Sequence, residues 1–227
     1  MHIGLIGGIG PAATVVYYQR LTALMRARKK KLDLTIVQAS ADELVKNNLS
    51  DNRAAQTEIY LDLLWRLKSA GADCAAITSL GGHFCFRETK AASPLPLVSG
   101  VKPLDAFFID QGLSTVGLLG TKVVMETSLY GQLEHTKAVH PGAETQRVAD
   151  AYIEMATSGQ CSDATRALFF DAGRRMVQEK GADAIILAGT DLGLAFDDHD
   201  PGYNVIDALD VHVNVLADLA CGSRELN

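Results

Sequence analysis

The chain has 227 residues, 48 % of them apolar, and a formal net charge of −6. That length suits one large domain or two small ones with a real core, and the negative charge argues against a broad nucleic-acid surface. No apolar run approaches the roughly 20 residues that span a bilayer, so the expected partner is a small ligand, not nucleic acid or a membrane. The N-terminus enters a strand with no basic region and apolar signal segment ahead of it, which points to a cytoplasmic protein. The cysteines Cys74, Cys85, Cys161 and Cys221 have no zinc or redox spacing and are expected to stay thiols.

Ile3 to Gly7 reads as the first strand, and Gly7-Gly8-Ile9-Gly10-Pro11 as its turn into a helix ending in the basic run Arg26 to Lys31. Proline suits the first helical position and cations suit a helix C-terminus. The glycines let backbone N–H groups approach an anion. The spacing is not the Gly-x-Gly-x-x-Gly of dinucleotide sites, and no acidic ribose-binding residue follows, so a small carboxylate is the better expectation. Leu34 to Ala39 is a second strand, and the polar stretch Ser40 to Asn52 is read as lying over the strand ends. Arg53 to Ser69 is a long helix with Ile59, Leu63 and Leu67 on its apolar face, and Gly71 follows as its C′ residue. Cys74 to Ile77 is a short, wholly apolar run that stops at Thr78-Ser79-Leu80-Gly81-Gly82-His83, the pattern of a buried parallel strand with a polar C-terminal end. In open α/β sheets ligands bind at that end. A short helix, a strand over Pro94 to Ser99 and a helix over Val101 to Gln111 complete the first half.

Ser114 to Leu119 opens the second half, with Gly120-Thr121-Lys122 as the turn into a helix running through Leu133. Thr136 to His140 is a weak strand, Arg147 to Ser158 and Asp163 to Lys180 are helices, and Ala184 to Leu187 is a second buried strand ending in Ala188-Gly189-Thr190-Asp191. Phe196 to Tyr203 is an acidic loop, read as solvated although Asp197, Asp198, His199 and Asp200 have metal-binding chemistry. A strand over Asn204 to Ile206 and a helix over Asp207 to Leu219 close the chain. Alternating strands and helices predict an α/β fold with parallel sheets covered on both faces.

The two halves repeat. Ile3-Gly4-Leu5-Ile6-Gly7 matches Val116-Gly117-Leu118-Leu119-Gly120 at an offset of 113. Gly71-Ala72-Asp73-Cys74 matches Gly181-Ala182-Asp183-Ala184 at an offset of 110, which sets Gly189 opposite Ser79. At the first offset Thr14, Tyr17 and Gln19 fall on Thr127, Tyr130 and Gln132. Fixed-offset similarity marks repeated structural units. The expected organisation is two pseudo-symmetric parallel-sheet α/β half-domains, 1–100 and 101–204, with the closing helix 205–220 on the first and one cleft between the strand ends.

Ile-Gly-Leu-Ile-Gly-Gly-Ile-Gly-Pro, with a following Thr14 and Tyr17-Tyr18, resembles the opening of the aspartate/glutamate racemase superfamily. Leu-Leu-Gly-Thr-Lys with Met125 and Tyr130 is similar to the opening of that family's second half, and the resemblance spans essentially the whole chain. It implies an isomerase-type enzyme of amino-acid metabolism that uses no cofactor, pyridoxal phosphate included. It also implies two cysteines facing each other across the cleft, one thiolate removing the α-proton and the other thiol returning one. The family's first cysteine sits in Cys-Asn-Thr-x-His and its second in Gly-Cys-Thr-Glu. Here the matching stretches are Ser79-Leu80-Gly81-Gly82-His83 and Ala188-Gly189-Thr190-Asp191, so both catalytic cysteines are absent.

The loss is chemically serious. A thiol has a pKa of about 8.5 and is readily lowered into the physiological range. A serine hydroxyl needs its own general base, and glycine offers only its backbone. The catalytic candidates are therefore Ser79, with His83 four residues on, and Thr190 and Asp191. Ser79 is a nucleophile, a proton relay or a ligand-binding hydroxyl, and His83 is its base or a packed residue at the helix start. Thr190 is expected to donate to a ligand oxygen, and Asp191 is an acid–base group or a turn cap. Gly8, Gly10, Thr78, Gly81, Gly82, Thr121 and Gly189 complete the substrate-binding set. Cys85 is read as structural, and no metal or cofactor is expected. The preferred reading is a racemase-superfamily enzyme acting on a small amino acid or carboxylate by elimination, hydration, decarboxylation or cyclisation and not by two-thiol racemisation. The alternative is a non-catalytic carboxylate-binding protein. A homodimer is carried as an expectation.

Overall fold

The computed structural model describes residues 1–8 and 10–226, so Ile9 of the first glycine turn lies outside the described residues. The chain divides into two compact units, Met1–Gly100 with the C-terminal segment from Asp210, and Val101–Leu209.

In the first unit β1 (His2–Gly7), β2 (Asp33–Gln38), β3 (Cys74–Ile77) and β4 (Leu97–Val98) form a parallel sheet in the order β2-β1-β3-β4. In the second, β5 (Thr115–Leu119), β6 (Lys137–Val139), β7 (Ala184–Leu187) and β8 (Val205–Asp207) form another in the order β6-β5-β7-β8. The sequence repeat is reproduced in register. Ile3 pairs with Cys74, and their counterparts Val116 and Ala184 pair in the second sheet. A side-chain clasp is repeated as well. The Asp73 carboxylate accepts the His2 N–H at 2.7 Å, and the Asp183 carboxylate accepts the Thr115 N–H at 2.8 Å. Each aspartate thus starts its central strand level with the first strand of its sheet. All four residues of β3 and of β7 are buried, as covered parallel strands must be.

Helices α1 (Pro11–Ala27) and α3 (Arg53–Ser69) pack on the first sheet through Tyr17, Leu21 and Met25, and through Tyr60, Leu64 and Leu67. Between them lies α2 (Ala41–Leu49), where a polar segment without helix was expected. Its signal is local: Ser40 caps the Glu43 N–H at 3.4 Å, the Ser-x-x-Glu pattern of a helix start, and Leu44 is driven into the core. After β3 comes a 3-10 turn over Gly81–Cys85, then α4 (Phe86–Ala92).

The second unit begins with α5 (Leu104–Asp110), whose Asp105 carboxylate accepts the main-chain N–H groups of Glu134, His135 and Thr136 at 3.0, 3.1 and 3.0 Å. After β5 the expected helix through Leu133 does not form. Instead α6 (Lys122–Glu126) stops, and α7 (Ser128–Gly131) carries Ser128, Leu129 and Tyr130 at φ 51°, 56° and 61°. Left-handed backbone costs on the order of 1–2 kcal/mol per non-glycine residue. Here it turns Leu129 into the core, and the Thr127 hydroxyl accepts the Tyr130 N–H at 2.9 Å. Tyr130 is therefore no structural counterpart of Tyr17. Next come α8 (Thr145–Ser158), α9 (Asp163–Lys180) and, after β7, the short α10 (Gly193–Phe196). The last element, α11 (Ala208–Cys221), starts one residue later than expected, because Asp207 is the last residue of β8. From Asp210 onward it belongs to the first unit, through Arg20–Asp210 and Arg28–Asp218 ion pairs of 2.9 and 2.7 Å. Among the described residues no helix is long and apolar enough to cross a membrane.

Candidate functional site: the two strand ends

At the end of β3 the chain leaves the sheet through Thr78, Ser79 and the glycine pair. Thr78 is buried and its hydroxyl is used by the frame: it donates to the Ile6 carbonyl at 3.1 Å and lies 3.1 Å from the Thr14 hydroxyl. Ser79 Oγ accepts the Gly82 N–H at 3.2 Å, and Gly81 offers its carbonyl to the Asn48 side-chain amide at 2.9 Å. Gly8 abuts Ser79 so closely that a Cβ there would overlap the Ser79 Cβ. Gly10 stands at the N-cap of α1.

His83 does not serve Ser79 as a base in this geometry. Its Nδ1 lies 2.8 Å from the Ser79 main-chain carbonyl, and its Nε2 accepts the Gly100 N–H at 3.0 Å. A carbonyl can only accept, so the proton sits on Nδ1 and the ring is neutral. Both nitrogens are spent on backbone, and neither reaches the hydroxyl. Burial pushes His83 down to about 4, against the opposing pull of the Ser79 carbonyl. Phe86 stacks on its ring at 5.0 Å, and His212 of α11 stands edge-on at 6.5 Å. His212 is itself buried and lies 2.7 Å from the Tyr17 hydroxyl; burial, with His83 beside it, pushes it down to about 3. His83 is thus a positioning residue that ties the β3 turn to Gly100.

The end of β7 is built differently. Thr121 is buried and caps α6 by accepting the Val124 N–H at 3.4 Å. Gly189 carries Tyr152 of α8 against its Cα: a Cβ at 189 would overlap the ring and lie 2.9 Å from the phenol oxygen. The Tyr152 hydroxyl donates to Asp191 Oδ2 at a long 3.5 Å. Burial first, and then the Asp191 carboxylate, push the phenol well above its ordinary range, so it stays protonated. Thr190 is buried, and its Oγ1 has no hydrogen-bond partner among the described residues. Nothing in the local sequence marks Tyr152 as functional. It sits on the apolar face of α8 with Val148 and Met155, where an aromatic residue reads as core. The only sequence hint was the missing side chain at 189.

The cysteines lie away from these roles. Cys74 is inside β3, where burial pushes its thiol up to about 11. Cys85 is buried on the 3-10 turn, 3.7 Å from the Thr89 hydroxyl, and burial raises it too. Among the described residues no three His, Cys, Asp or Glu side chains converge as a metal site, the acidic loop included.

The sequence profile of the family described as Asp/Glu/hydantoin racemase matches residues 6–216. Among solved structures, an aspartate racemase homologue from Pyrococcus horikoshii OT3 is 25 % identical, with a TM-score of 0.78 over 97 % of this chain and 99 % of that one. The aspartate racemase of Picrophilus torridus is 18 % identical, with a TM-score of 0.75 over 100 % and 96 %. The allantoin racemase of Klebsiella pneumoniae is 15 % identical, with a TM-score of 0.62 over 100 % and 90 %.

Proposed function

Since the chain belongs to the Asp/Glu/hydantoin racemase family, we propose that it is an enzyme acting on a small amino acid or carboxylate by cofactor-independent acid–base chemistry other than two-thiol racemisation. The observation that carries this is the pair of strand ends. Ser79 and Gly189 occupy corresponding positions after β3 and β7, and neither supplies sulfur.

On this reading Ser79 Oγ, which accepts the Gly82 N–H, donates to a carboxylate oxygen as a neutral group that stabilises negative charge without carrying any. His83 holds the Ser79 carbonyl and so sets where the hydroxyl stands. In the second unit Thr190 is read as a donor to a ligand oxygen and Asp191 as a group able to take or return a proton. Losing one positioned acid or base costs typically ~10²–10⁴-fold in rate, so a reaction with proton transfer at one face fits these residues better than exchange through two faces. Elimination, hydration, decarboxylation and cyclisation meet that condition.

A second reading is a binding protein without turnover, favoured by the locked His83 ring. Solvent-deuterium incorporation at Cα of aspartate and glutamate, followed by NMR, addresses the mechanism. Slow or no exchange is expected, and rapid exchange abolished by Ser79→Ala would overturn the proposal. A screen of small acids by thermal shift, with turnover assays on those that stabilise the protein, separates the enzyme from the binding protein. Stabilisation without conversion of any ligand would favour the latter.

A further inference from the structure

The end of β7 contains a hydroxyl pair of which only Thr190 has been given a role. Tyr152 is 1 % exposed and Thr190 2 % exposed, and both come to the turn that carries Asp191. Thr190 Oγ1 has no hydrogen-bond partner among the described residues although it is shut away from solvent. A buried hydroxyl in that state has lost its water and gained nothing in return, and a ligand oxygen would restore the bond. The phenol packs against Gly189 and hydrogen-bonds to Asp191, the residues on either side of Thr190. Its hydrogen bond to Asp191 is long, at 3.5 Å. Gly189 makes room for this arrangement, because a side chain there would displace the ring.

We propose that Tyr152 is a ligand-binding residue of the second unit, its hydroxyl donating with Thr190 to one oxygen of a small acid or ureide, and that Gly189 lacks a side chain so that the phenol can stand there. The assignment rests on the reading above of the strand ends as a small-acid site, and goes beyond it in naming the donor.

Calorimetric titration of the wild type and Tyr152→Phe with L-aspartate, L-glutamate and allantoin tests it. At least one should bind the wild type, and Tyr152→Phe should weaken that ligand about tenfold, the size of one lost hydrogen bond, with the melting temperature of the ligand-free protein nearly unchanged. Equal affinity in the two proteins overturns the role of Tyr152 and leaves the functional reading standing. Absence of binding to the wild type for all three overturns the small-acid reading and this assignment together. Gly189→Ala keeps the hydroxyl but shifts it, and should weaken the same ligand. In the double variant the losses should not add, because both act on one group; additive losses overturn the shared-volume argument.

Discussion

The two units use one frame and hold their strand ends by different routes. In the first unit the anchor lies within the turn: His83, four residues after Ser79, reaches back to the Ser79 carbonyl and across to the Gly100 N–H. The repeat offset of 110 puts Gly193 at the corresponding place in the second unit, where no such ring exists. There the anchor is Tyr152, carried in from α8 and lodged against Gly189. Strand order and register are common to both, because they depend on main-chain pairing that many side chains allow, and the clasp is common because an aspartate, Asp73 or Asp183, precedes each central strand. The strand ends have no such constraint and have diverged into a neutral hydroxyl-and-glycine turn on one side and a phenol–carboxylate turn on the other.

The comparison can be broken most forcefully at His83. His83→Ala removes two buried main-chain partners and leaves a cavity, so it should cost roughly 3 kcal/mol, a fall of about 10 °C in melting temperature for a chain of this size. Tyr152→Phe, which deletes one long hydrogen bond, should cost about 1 kcal/mol or less. Similar losses in the two variants would mean that the turns are held alike.

Volume gives the next largest contrast. Gly189→Cys must push the Tyr152 ring aside and should destabilise by about 1–3 kcal/mol. Ser79→Cys changes one atom and should stay below about 1 kcal/mol. Urea unfolding of both variants measures the difference, and a neutral Gly189→Cys would show that the ring has room to move.

Acid should separate the units as well. His83 and His212 are neutral in the folded first unit, with values pushed down to about 4 and about 3. Unfolded histidines take up protons near pH ~6.5, so between there and pH 4 the unfolded state holds more protons and stability falls as pH falls. In the second unit burial raises Asp105, but hydrogen bonds from Thr136, His135 and Glu134 outweigh it and bring the carboxyl down to about 2. Its contribution is present above its unfolded value near ~4 and is lost as pH drops toward 2. Hydrogen exchange at pH 5, corrected for intrinsic rates, should show β3 losing protection relative to neutral pH while β7 keeps it. Equal loss, or earlier loss in β7, would refute this order.

The smallest effect concerns thiols. Cys74 and Cys85 are buried with raised values, and neither strand end carries sulfur. Iodoacetamide on the folded protein should therefore label Cys161 and Cys221 first and leave ligand binding within about twofold of the untreated protein. Loss of binding that maps to Cys85 would place a working thiol in the first unit and sharpen the asymmetry in a different way.

The repeat, the α/β class and both central strands were legible in the chain, because a buried parallel strand must be apolar throughout and must stop where the polar turn begins. Cys74–Ile77 and Ala184–Leu187 have the same limits in the sequence reading and in the structure. Residues at the strand ends could be named from the same pattern. What they touch could not, since a hydrogen-bond partner depends on three-dimensional approach and not on spacing. Ser79 and His83 sit four apart, the distance of a Ser–His pair, yet the ring turns to two backbone groups. Tyr152 is 37 residues before Gly189 and looks like core until α8 lays it over the glycine. The left-handed turn at Ser128–Tyr130 escaped for a related reason: its local sequence favours helix, and the burial of Leu129, a tertiary effect, overrides it. Patterned burial and main-chain pairing are written along the chain, whereas the chemistry of the two strand ends was decided only by which side chains packing brought against them.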